Sequence, residues 1–78
     1  MPRLPTLKDR ELLAALRVLG FEEHRQHGTS HLIMKHKDGR RMVIALRNGR
    51  DIPRGTLGGM LREARISNDE LLAALASS

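Results

Sequence analysis

Apolar residues recur at Leu12, Leu16 and Leu19, spacings of four and three that set them on one side of a helix, and Leu13 widens the stripe. Thr6, with Asp9 three residues later, is suited to open that helix, because its hydroxyl can accept from free backbone N–H groups of the first turn. Gly20 follows the last apolar position and can take the left-handed conformation that ends a helix, and Phe21 anchors the chain as it leaves. From Glu22 to Gln26 the residues are polar and give only a weak strand pattern, and the run from His27 to Ser30, with Gly28, reads as a turn. His31 to His36 reads as a strand centred on Leu32, Ile33 and Met34. Its partner is Arg41 to Leu46, where Met42, Val43 and Ile44 suit a pleated surface, and Lys37-Asp38-Gly39-Arg40 between them carries the Asp-Gly hairpin signal. A loop from Arg47 to Arg50 leads to Pro53, a residue fitted to the first turn of a helix, on which Leu57, Met60, Leu61 and Ala64 share a face. Ser67 with Glu70 forms a capping box for a last short helix, whose Leu71, Leu72 and Leu75 can pack back or face a partner.

The order helix, three strands, helix predicts an α+β fold: a small three-stranded antiparallel sheet with helices on one face, plus a short C-terminal helix. Double-stranded-RNA-binding domains share this arrangement, although a fold alone does not establish a function. At 78 residues the chain is expected to form one domain over 1–78, with little room for a deep cavity, so its chemistry belongs on an open surface. With one Phe and neither Trp nor Tyr, the core must be aliphatic.

Fourteen Lys and Arg against nine Asp and Glu leave a formal charge of +5, which favours a polyanionic partner, nucleic acid first among them. The absence of cysteine removes disulfide scaffolds and thiolate metal sites. No run approaches the roughly 20 apolar residues of a membrane span, and Met1 to Arg10 lacks the apolar core of a signal peptide, so a cytoplasmic location without membrane contact is expected.

Gly20-Phe21 after the first helix, Arg25 in the first strand, Gly28-Thr29-Ser30-His31 opening the second, Arg40-Arg41 in the hairpin, and Gly55-Thr56-Leu57 followed by Met60-Leu61 together resemble the HicA toxins, over about Leu12 to Ile66. The resemblance implies an mRNA-cleaving endoribonuclease that acts without the ribosome, paired in a hetero-oligomer with a HicB-type antitoxin that holds it inactive. It also implies that His31, matching the motif histidine, is catalytic. Family members often carry a Pro and a His shortly after the third strand, where this chain has Ala45, Leu46 and Arg47.

The residues support the same chemistry independently. A deprotonated ribose 2′-hydroxyl attacks the adjacent phosphate and expels the 5′-oxygen of the next nucleotide, which requires neither a metal nor a cofactor. An imidazole, with an ordinary pKa of about 6.5, can take or give the protons involved near neutral pH. Strand alternation sets His31, Ile33 and Lys35 on one face, so Lys35 is a candidate for holding the phosphate charge, with Arg25 and Arg47 as further candidates. Arg40, Arg41, Arg47, Arg50 and Arg54 cluster around the hairpin and the loop that follows, where Arg40, Arg41 and Arg47 are expected to bind RNA phosphates. His24, His27 and His36 read as solvated surface residues, Glu22 and Glu23 as solvated charges, and Gly55, Gly58 and Gly59 as close helix packing rather than a phosphate loop. The histidine spacings make no convincing metal triad. Two other classes fit less of the pattern: a noncatalytic RNA- or DNA-binding module, and a protein-interaction domain that docks through its last helix.

Overall fold

The computed structural model describes residues 4–27, 30–46 and 49–78, and at positions 25–27 the backbone alone. The elements run β1 (Leu7–Lys8), α1 (Asp9–Val18), β2 (Phe21–His27), β3 (His31–His36), β4 (Arg41–Ala45), β5 (Asp51–Ile52), α2 (Arg54–Glu63) and α3 (Asn68–Ser77). Strands β2, β3 and β4 form the expected antiparallel meander, with β3 in the centre, and β1 and β5 pair in a separate two-stranded ladder. The architecture is thus the α+β fold that the element order predicts, with a C-terminal helix added.

One face of the sheet is sealed and the other is open. Leu32 and Met34 on β3, and Met42 and Ile44 on β4, are buried, while His31, Lys35, Arg41, Val43 and Ala45 between them are exposed. The sealed face receives α1 beside β2 and α2 beside β4, and the core closes around Leu12, Leu16, Phe21, Leu57 and Leu61. Each such side chain contributes roughly 1.5–3 kcal/mol on burial. The last helix packs back: Leu71 and Ala74 are buried, and α3 lies along α1 rather than on the sheet.

Four details depart from the sequence expectations. The first helix begins at Asp9, not after Thr6, because Leu7 and Lys8 are extended and pair with Ile52 and Asp51. Its opening N–H is satisfied from within, the Glu11 carboxylate accepting from Lys8 N at 2.9 Å. The weakly patterned run after Phe21 is a full strand with a bulge, taken up below. Pro53 stands one residue earlier than expected, just before the first turn of α2, its carbonyl accepting from Leu57 N at 2.9 Å.

The fourth departure is His36, which is not solvated. Alternation along β3 carries it to the sealed face with Leu32 and Met34, and its side chain is only 15% exposed. Its Nε2 donates to the Leu19 carbonyl at 3.1 Å, its Nδ1 accepts from Asp38 N at 3.0 Å, and its ring meets Phe21 edge-on at 5.2 Å. The Asp38 carboxylate also approaches Nδ1, its Oδ1 standing 3.0 Å away. The same ring explains Gly20. This residue has φ of 99°, and a Cβ there would stand 2.9 Å from His36 Nε2.

Candidate active site

The hairpin joining β3 to β4 is closed by Gly39 N donating to His36 O at 3.0 Å and His36 N to Arg40 O at 2.8 Å. Gly39, with φ of 99°, supplies the left-handed residue of this three-residue loop. From it the pairing Lys35↔Arg41, Ile33↔Val43 and His31↔Ala45 follows without slippage. Because residues directly opposite one another share a face, the open side of β3 and β4 reads as cations at one end, aliphatic residues in the middle, and His31 beside a small alanine at the other.

His31 is exposed, and its Nδ1 lies 3.3 Å from the Ser30 hydroxyl. Ser30 is itself tied to β4, its carbonyl accepting from Leu46 N at 2.6 Å. The serine therefore has a fixed backbone from which to orient the ring, leaving Nε2 for a substrate. With only a methyl group opposite at Ala45, solvent reaches the imidazole freely.

Lys35 and Arg41 are both exposed and directly paired, so the structure does bring these two expected cations together. They stand four residues from His31 along β3, a Cα separation of roughly 13 Å at strand rise. That suits a phosphate flanking the one next to His31. Glu22 occupies the paired position on β2 opposite Lys35. A shallow hollow of about 300 Å³ opens here, lined by Gly20, Glu22, Glu23, His24, Lys35, His36 and Lys37, at the far end of the face from His31. Its two carboxylates make it a poor anion site.

Arg40 is placed quite differently from Arg41. Its side chain is 18% exposed and lies over the Phe21 ring at 5.4 Å. Its Nε donates to Asp38 Oδ2 at 2.8 Å and its Nη1 to the Arg65 carbonyl at 3.3 Å, with Glu70 Oε2 3.9 Å away. The guanidinium joins the hairpin to the turn between α2 and α3, where Arg65 takes φ of 56° and Ile66 N donates to Leu61 O at 2.9 Å. Arg40 and its backbone N–H also hold the Asp38 carboxyl below its usual range, chiefly through that N–H. Arg50 and Arg54 are exposed on either side of β5. Arg47, expected to bind RNA, lies outside the described residues, as do Gly28 and Thr29 of the expected turn.

The pairing of β2 with β3 steps over His24: Glu23 pairs with Met34, but the next pair is Arg25 with Ile33. Strict alternation from the buried Phe21 would assign positions 25 and 27 to the sealed face. The bulge reverses this, and Arg25 pairs with Ile33 and His27 with His31, on the open side of the sheet. Arg25, expected in the first strand, does lie in β2, and its side chain is not among those described. His27 was expected to begin a turn and instead ends a strand. Two histidines separated by Gly28-Thr29-Ser30 carry a usable signal, since a three-residue hairpin loop pairs the residues that bracket it.

Among the described residues no cluster of three His, Cys, Asp or Glu side chains could hold a metal ion, and no helix is long and apolar enough to cross a membrane. A search of curated proteins finds no match to the chain. Comparison with protein families matches residues 10–66 to the family described as the HicA toxin of bacterial toxin–antitoxin systems. The matched span runs from α1 through α2 and contains the whole sheet, the bulge and the His31 face, while α3 falls beyond it. By that match, over most of its length, the chain belongs to the HicA toxin family.

Proposed function

We propose that this toxin is an endoribonuclease that cleaves mRNA through proton transfer by His31, without a metal. The observation that carries the reading is the open sheet face: an exposed imidazole oriented by Ser30 at one end and the Lys35–Arg41 pair at the other. A polynucleotide laid along this face brings one phosphate to His31 and a neighbouring phosphate to the cations. His31 then exchanges protons with the ribose 2′-oxygen or the departing 5′-oxygen, a role worth on the order of 10²–10⁴ in rate. Products carry a 2′,3′-cyclic phosphate and a 5′-hydroxyl. Arg25, at the centre of the same face, and Arg47 add phosphate contacts, whereas Arg40 is committed to the hairpin and contributes through stability. With Phe21 buried and neither Trp nor Tyr in the chain, there is almost no aromatic platform for stacking bases, so sequence preference is loose.

Family membership supports a partner antitoxin of the HicB type, and blocking RNA from the His31 face is the simplest way for it to act. The cytoplasm, where mRNA and antitoxin are made, is the corresponding location. The test compares the chain with His31→Gln in cleavage and RNA-binding assays in excess EDTA, alongside induction in cells with growth and message integrity followed together. Expected are retained binding, lost cleavage and lost toxicity. Equal cleavage by the variant would remove His31 from the mechanism, and binding without cleavage by the unaltered chain would leave a noncatalytic nucleic-acid-binding module.

A further inference from the structure

Transesterification of RNA needs two proton transfers at opposite sides of one phosphorus: the attacking 2′-oxygen loses a proton and the leaving 5′-oxygen gains one. Attack is in line with departure, so the two oxygens lie on opposite sides of the phosphorus. A single imidazole reaches both only by moving between them. The reading of His31 as a proton-transfer group therefore leaves one transfer without an owner.

The bulge in β2 supplies a candidate. Register, not sequence proximity, sets His27 directly opposite His31 on the adjacent strand. Residues so paired have Cβ atoms about 4.5–5.5 Å apart and share a face. On the other side of His31 the paired residue is Ala45, which carries no proton-transfer group. Ser30 already bonds to the His31 ring, and Lys35 and Arg41 stand roughly 13 Å along the strand. At the His31 end, the backbone register thus sets a second histidine opposite the first.

We infer that His27 is the second proton-transfer residue, the two histidines dividing the acid and base roles between them. The inference rests on the proposed RNA cleavage at His31. In the step, one neutral imidazole takes the 2′-hydroxyl proton as the 2′-oxygen bonds to phosphorus. The P–O5′ bond breaks with its electron pair going to the 5′-oxygen, which takes a proton from the other imidazole in its charged form. The first ring ends charged and the second neutral, and exchange with water restores both.

The test uses the full chain, His27→Gln, His27→Asn and His31→Gln, in excess EDTA, on oligonucleotides with one ribose and so one cleavable linkage. A second substrate carries sulfur in place of the bridging 5′-oxygen, because a thiolate departs without needing a proton. On the oxygen substrate, all three variants are expected to lose about 100-fold or more. Sulfur is expected to restore the His27 variants or His31→Gln, but not both, and the two positions should lose opposite limbs of the pH–rate profile. Binding of an uncleavable all-deoxy oligonucleotide, unchanged in at least one His27 variant, separates lost chemistry from lost folding. His27 variants that bind normally and cleave within about twofold of the unaltered chain, while His31→Gln is inactive, would overturn the pairing and leave His31 acting alone. Rescue by sulfur at both positions or at neither would also overturn it. Full activity of His31→Gln would instead sink the underlying cleavage reading.

Discussion

Adjacent arginines on one strand edge offer a sharp test of the fold, because alternation sends Arg40 toward Phe21 and Arg41 to the open face. Arg40→Ala removes a hydrogen bond to the Arg65 carbonyl, worth about 0.5–1.5 kcal/mol. It also removes a contact over the Phe21 ring worth about 0.5–1 kcal/mol. The Asp38 partner is 44% exposed, so solvent screens that ion pair and it adds little. The first two amount to about 1–2.5 kcal/mol, and for a domain of this size each kcal/mol lowers Tm by roughly 4–8 °C. Arg40→Ala should therefore melt about 4–20 °C lower while binding RNA normally below its transition. Arg41→Ala should stay within about 0.5 kcal/mol in stability but lose one phosphate contact, reducing the slope of log affinity against log salt by about 0.7. Thermal melts followed by circular dichroism and salt titrations with an uncleavable oligonucleotide measure both. If Arg40→Ala melts with the unaltered chain, or weakens RNA binding as much as Arg41→Ala while folded, the division of labour drawn from the register is wrong.

Gly20→Ala should destabilise by about 1–3 kcal/mol in urea unfolding, since it combines a left-handed φ with a Cβ 2.9 Å from His36 Nε2. Arg65→Gly should act in the opposite direction, by about 1 kcal/mol in the same measurement, because φ of 56° strains a side-chain-bearing residue while the Arg40 bond there is to the backbone carbonyl. Glu70 accepts from Ser67 N at 3.0 Å, and that bond, followed by the Ser67 hydroxyl and Arg40, holds its carboxyl below the ordinary value of 4.5. A depressed carboxyl stabilises the fold above its ordinary value and loses that contribution as pH falls through the lowered one, so melts between pH 6 and pH 3 should be less pH-dependent in Glu70→Gln.

Local pattern in the sequence determined much of this protein. The 3.6-residue period of Leu12, Leu16 and Leu57, Leu61 and the alternation through Leu32 and Met34 each depend on neighbours a few positions away, as do the Gly39 turn and the Ser67–Glu70 box. Alternation along β3 likewise made the exposure of His31 legible, but what singled this histidine out from the other three was the family resemblance. What escaped the sequence depends on partners far along the chain. Leu7 and Ile52 make a ladder across 45 positions, His36 meets Leu19, and Arg40 reaches Arg65. The bulge at His24 has no local signature either, because only the pairing of β2 with β3 decides which residue is skipped. That single offset moves Arg25 and His27 to the open face, and it can be settled only when both strands are held on one core.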